Sequence, residues 1–200
     1  MAIYATKPTI PQDKHTLRAL ATQLGLVRLD ANMLAEDDGI SAIAVSAHPR
    51  RGSYIPYTDR AIAWHTDGYY NPPRRQVRAM LLHCVRQAAS GGANRLVDHE
   101  VAYIHLRDAG VDHVAALMRS DAMTIPANRE GGAEIRRAQS GPVFSIDRDL
   151  GSLHMRYTAR TRSIEWKDDA ATSGARQVLD GFLSSPSPFF FQHRLAPGQG

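Results

Sequence analysis

His65 and Asp67 are the residues whose types and spacing could do chemistry. They lie in the run Trp64-His65-Thr66-Asp67-Gly68-Tyr69-Tyr70. The preceding Ala61–Trp64 reads as a short apolar strand, and side chains two apart on an extended backbone share a face. An imidazole and a carboxylate then stand side by side, with Thr66 turned away. Gly68 lets the chain turn without a Cβ penalty. A neutral nitrogen donor and an anionic oxygen on a strand end are two-thirds of a 2-His-1-carboxylate site, which binds Fe(II) and leaves coordination positions open. The chain has nine His and fifteen Asp. A His-x-Asp tripeptide also arises by chance and as a plain surface pair, so its context decides.

That context is a chain of alternating short elements. Thr16–Leu24 carries Leu17, Leu20, Ala21 and Leu24 at helical spacing, with Gly25 as a stop. Ile40–Val45 is a β-like apolar run. Residues 46–60, with Pro49, Gly52 and Pro56, are irregular. After the central motif, Asn71-Pro72-Pro73 is a rigid turn. Gln76–Arg86 is the strongest strand by composition, and its His83 reads as a packed or hydrogen-bonded residue. Gly91-Gly92 turns the chain into a short extended Asn94–Val97. Asp98 is a helix N-cap for a helix through Tyr103–Arg107. Val111–Met118 reads as a second helical piece.

Residues 121–163 read as β-rich, with strands at Ala122–Ile125, Pro142–Ile146 and Leu153–Thr161 and a hairpin loop at 147–151. In the third of these, Arg156, Thr158, Arg160 and Arg162 alternate onto one face. They form either a solvated face or a row of guanidinium groups for an anion. Asp168-Asp169 open a helix over Ala170–Leu183. Phe189–Leu195 is a final strand before the turn Ala196-Pro197-Gly198-Gln199-Gly200.

Two hundred residues suit one domain, residues 1–200. Composition is ordinary for a globular chain, with 43% hydrophobic and 22% charged residues. No run has the length of a membrane span and no apolar leader segment stands at the N-terminus. The single Cys84 fits a reducing cytosol, so a cytoplasmic protein is expected. The net charge is +4, and of 24 basic residues only Lys7, Lys14 and Lys167 are lysine. The basic residues are dispersed, which argues against nucleic-acid binding, while the arginine excess suits a small anionic substrate. A homo-oligomer is compatible with all of this.

Four stretches together resemble one family: WHTDGYYNPP at 64–73, LLHCVRQAASGGANRLVDHE at 81–100, MRYTARTRSIEW at 155–166 and RLAPGQG at 194–200. The pattern is similar to the TauD/TfdA-like Fe(II)- and 2-oxoglutarate-dependent dioxygenases, from about Asp59 to Gly200. The resemblance implies a mainly β fold with flanking helices (α+β), a double-stranded β-helix or jelly roll of the cupin-like kind. It implies oxidation of a small organic substrate by O2 with release of succinate and CO2. His65 and Asp67 match the first two iron ligands. Asn94 falls where many members have a Thr that contacts 2-oxoglutarate. Tyr69, Arg156 and Arg160 are candidate substrate contacts, and Trp64 and Tyr70 candidate pocket walls.

In the family a Pro-Gly-x-Gly-like turn precedes the strand with the distal iron His, and an Arg farther on pairs with 2-oxoglutarate. Here the sequence stops at that turn, so the resemblance implies a domain lacking its C-terminal strands, with exposed sheet edges. Two rival readings follow. One is an inactive or binding-only remnant of such an enzyme. The other is a different cupin-like metal enzyme whose third ligand is His83 or His154.

Overall fold

The computed structural model describes residues 2–7, 10, 13–30, 39–52, 54–160 and 164–200. In chain order its helices are α1 (Lys14–Gln23), α2 (Pro49–Gly52), α3 (His99–Ala109), α4 (Val111–Leu117) and α5 (Ala170–Ser184). Its strands are β1 (Asn94–Leu96), β2 (Met123–Ile125), β3 (Asn128–Glu130), β4 (Ala133–Arg136), β5 (Gln139–Gly141), β6 (Phe144–Ile146), β7 (Leu153–Met155), β8 (Glu165–Trp166) and β9 (Phe191–His193). The chain forms two compact units: Met1–Ile62, Val77–Asn94 and Gln192–Gly200 make the first, and Ala63–Gln76 with Arg95–Phe191 make the second.

The second unit holds the main core. Leu106 of α3, Leu117 of α4 and Leu179 of α5 pack with Met123, Ile125, Val143, Phe144 and Tyr157, all essentially without solvent exposure. Each helix of this unit begins directly after an aspartate or a glycine. Asp98 accepts from Glu100 N at 2.9 Å, and Asp169 accepts from Thr172 N at 2.7 Å. These caps satisfy amide groups that the first helical turn leaves without a partner. Gly110 ends α3 and starts α4. The antiparallel sheet β5-β2-β8 pairs Met123 with Gly141 and with Trp166. The β6-β7 hairpin closes through a loop in which Asp147 Oδ1 accepts from the amides of Asp149 and Leu150.

The first unit is built largely from irregular chain. Asp13 caps α1 through Thr16 N at 2.8 Å. Residues 4–6 and 82–84 flank the C-terminal turn. Tyr4 exchanges backbone bonds with Gly200, Thr6 N donates to Gly198 O, and Cys84 N donates to Gln199 O. His83 is hydrogen-bonded as the sequence implied: its Nδ1 lies 2.8 Å from the Tyr4 hydroxyl and the rings stack.

Several expected elements differ. Ile40–Val45 forms no strand, and Ile43 and Val45 are exposed. Gln76–Arg86 also forms no strand, although it is the most strand-like run by composition. A strand needs a neighbour that meets its amides along its length, and among the described residues this run is assigned no such ladder, its backbone bonds including those of Gln76 to Pro73 and of Cys84 to Gln199 and Gly198. Of the expected strand Leu153–Thr161, whose Thr161 lies outside the described residues, residues 153–160 form a strand over β7 and a further bridge at Thr158. More described residues lie in helices than in strands, so the fold is mixed α/β and not mainly β. Among the described residues the widest sheet has three strands, and no helix is long and apolar enough to cross a membrane.

Candidate metal centre

The segment carrying His65 is held by the second unit's own backbone. His65 bridges Thr158 in antiparallel register. On either side, Thr66 N donates to Tyr157 O at 2.9 Å and Ala159 N donates to Trp64 O at 2.7 Å. The Thr66 hydroxyl closes the rung by accepting from Tyr157 N at 3.0 Å. Thr66 thus faces Tyr157 and leaves the other side of the segment to His65. Trp64 is fixed by its indole N–H, which donates to Leu183 O at 2.8 Å, just before the end of α5. After Asp67 the chain reverses at Gly68, whose φ of 64° lies in the left-handed region where a glycine has no Cβ to clash.

The geometry of the pair bears on its chemistry. His65 Nδ1 lies 2.8 Å from the Ala63 carbonyl oxygen. A carbonyl only accepts, so Nδ1 carries the proton and the neutral ring keeps its lone pair on Nε2. That nitrogen is 3.9 Å from Asp67 Oδ1, with side-chain exposures of 33% and 46%. With metal–ligand bonds of about 2.0–2.2 Å, one cation spans that gap only at a wide angle, and neighbouring positions on an iron require the two donors to close to about 3 Å. A backbone carbonyl fixing the far nitrogen is the usual device for orienting a ligating histidine. Both groups are open enough to be reached from solvent.

The other candidates are placed as follows. Arg156 is buried and directs its five N–H groups to backbone carbonyls. Nε reaches Pro142 O at 3.2 Å, and Nη1 reaches Gln139 O at 3.2 Å and Tyr69 O at 3.5 Å. Nη2 donates to Gly141 O at 2.9 Å and to Met123 O. Burial pulls this guanidinium down to about 10, so it is charged at neutral pH. With its donors engaged, it ties the turn after Asp67 to β2 and β5, where the sequence reading made it a substrate contact. Arg160 is half-buried beyond the Thr158 bridge, and Arg162 lies outside the described residues. The Tyr69 ring meets Tyr70 edge-on at 5.2 Å, and Arg136 lies over Tyr70 at 5.8 Å. Asn94 belongs to the first unit. Among the described residues no group of three His, Cys, Asp or Glu side chains comes together.

A cavity of about 100 Å³ opens beside His65, lined also by Thr66, Arg95, His99, Met155 and Tyr157. Sequence reasoning passed over Arg95 and His99. The signal available was their place after Gly91-Gly92 and Asn94, Arg95 directly following Asn94 and His99 opening α3.

The sequence matches the family described as Taurine catabolism dioxygenase TauD, TfdA family over residues 8–200. The chain belongs to the TauD/TfdA family. A uridine-5'-phosphate dioxygenase from Amycolatopsis sp is 34% identical over 144 residues, 68% of this chain. The chain spans about half of that relative, 48% of its length. A solved asparagine oxygenase, in complex with Fe(II), 2S,3S-3-hydroxyasparagine and succinate, is 19% identical over 58% of this chain and 33% of its own. Its TM-score is 0.41, a loose likeness. For a TauD/TfdA chain, the N and O donors of His65 and Asp67 fit two positions of an iron site. The described residues supply no third.

Proposed function

We propose that this chain carries two of the three iron ligands of a non-haem Fe(II)- and 2-oxoglutarate-dependent dioxygenase that oxidises a small organic substrate. The observation that carries this is His65 Nε2 facing Asp67 Oδ1 at 3.9 Å while Nδ1 is held by Ala63 O. Iron bound there, with 2-oxoglutarate and O2, supplies the oxidising power for a substrate C–H bond, with succinate and CO2 as by-products.

This chain's own residues do the positioning. The rung between Thr66 and Tyr157 fixes the His65 segment. Arg156 holds the turn that follows Asp67. Asn94 is the candidate contact for the 2-oxoglutarate carboxylate, through its amide N–H donors. Tyr69 and Arg160 are the candidate substrate contacts. A small anionic substrate suits the arginine-rich composition, and the matched relative is named for a phosphate-bearing one. Membership of the family supports a double-stranded β-helix for the whole enzyme, and the lone Cys84 suits a cytoplasmic one.

An anaerobic titration with Fe(II) and then 2-oxoglutarate tests the reading through the visible charge-transfer band of the chelate. A band that forms with near-stoichiometric iron and disappears in His65→Ala supports it. Absence of both iron binding and band assigns the 200-residue chain to the alternative, an inactive or binding-only form.

A further inference from the structure

The cavity beside His65 is lined by one guanidinium, that of the exposed Arg95, whose N–H groups meet solvent and no protein acceptor among the described residues. Arg95 Cζ lies 5.0 Å from the Trp64 ring and 5.1 Å from the Phe190 ring, and those rings are 5.2 Å apart. Aromatic faces grip a guanidinium by its flat faces and leave its N–H edges pointing outward. The clamp is itself fixed, because the Trp64 indole is tied to Leu183 O. Among the described residues no carboxylate or carbonyl pairs with Arg95, although most other arginines of the second unit have such partners. Arg107 pairs with Asp108, Arg119 with Asp169, Arg129 with Glu134 and Arg176 with Asp180. His99, across the cavity, has its Nε2 on Leu153 O at 3.0 Å and so is engaged elsewhere.

We infer that Arg95 is an oxyanion receptor that holds a carboxylate or phosphate head group of the substrate beside His65. A charged guanidinium with free N–H edges binds such groups through two parallel bonds. Size supports a head group and nothing larger. A whole drug-sized ligand takes about 300–1,000 Å³. The cavity offers about 100 Å³, room for one oxyanion with the rest of the molecule outside. The inference rests on the iron reading only in assigning the anion to a substrate. The anion site itself needs no metal.

The test is therefore run on the metal-free 200-residue chain. Inorganic phosphate and acetate are titrated separately at constant ionic strength, with chloride as control, by calorimetry. A second readout is Trp64 emission in a Trp166→Phe background. Saturable one-to-one binding of either anion, weakened at least tenfold in Arg95→Gln, is the expected result. The choice between phosphate and acetate identifies the head group. Arg95→Lys keeps the charge but loses the fork, and binding at least threefold weaker is expected. That variant carries the test if circular dichroism shows Arg95→Gln unfolded. His65→Ala should keep anion binding within threefold while losing Fe(II). No saturable binding of either anion to the folded chain overturns the inference, as does equal binding in Arg95→Gln. Anion binding without iron binding would sink the iron reading and leave Arg95 standing, and the reverse result would do the opposite.

Discussion

Replacing Arg156 by methionine separates a structural arginine from a substrate contact. In the structure its N–H groups meet the carbonyls of residues 69, 123, 139, 141 and 142. Methionine fills much of the volume but donates nothing. Each buried carbonyl left unmet costs about 1–3 kcal/mol, though β-sheet partners already satisfy some of the five. Burying the charge opposes the native arginine, as its lowered value shows, and removing that burden returns part of the loss. The net expectation is a destabilisation of about 1–3 kcal/mol, the cost of leaving buried acceptors unmet. Arg156→Lys keeps a charge with three donors in place of five and should recover about half of that. The assay is urea unfolding followed by tryptophan emission. Both tryptophans, Trp64 and Trp166, lie in the second unit, so the signal reports that unit. The midpoint should fall with the slope unchanged. A substrate-binding arginine would instead leave the midpoint alone and alter only ligand affinity. A methionine variant within about 0.5 kcal/mol of the parent, the scatter of ordinary surface changes, would refute the structural assignment.

Other expectations follow from the same contacts. Tyr157→Phe removes a 2.7 Å bond to Asp180, a charged acceptor, and should cost about 1.5–3 kcal/mol in the same unfolding assay. Asp169, Asp13 and Asp121 are all held below the ordinary carboxylate range, the first two chiefly by helix-cap amides and the third by Lys167. Their folded values lie below their unfolded ones, so their stabilisation is complete above about pH 4 and lost as pH falls through the folded values. Asp169→Asn keeps the cap without the titration, so an acid titration by circular dichroism should show a shallower loss of α5. An unchanged acid limb would count against the cap as its source. Asp67→Asn keeps shape but removes the anionic donor, and Fe(II) binding should weaken at least tenfold with the melting temperature unchanged.

What the sequence disclosed and what it withheld divide along a physical line. The helix starts at Asp98 and Asp169 were legible because they are local, each aspartate capping within three residues of itself; the Asp13 cap, with α1 starting at Lys14 two residues before the expected Thr16, was not read. The His65–Asp67 pairing was legible for the same reason, since a two-residue spacing fixes which face is shared. Strands were not, because a strand exists only through a distant partner. Gln76–Arg86 has the composition without the neighbour, while β3 and β4 pair around Gly131-Gly132 from polar sequence that carries little strand signal beyond the two glycines. The arginines show the principle most clearly. Arg156 and Arg160 share a sequence pattern and were grouped as one anion-binding face. Only the fold shows that one is saturated by carbonyls, while Arg95, outside any pattern, keeps its donors free. Whether an arginine can bind an anion is therefore decided by which of its donors the backbone has already taken. A search for substrate-binding arginines in this chain should begin with unpaired N–H edges lining the His65 cavity and not with periodicity.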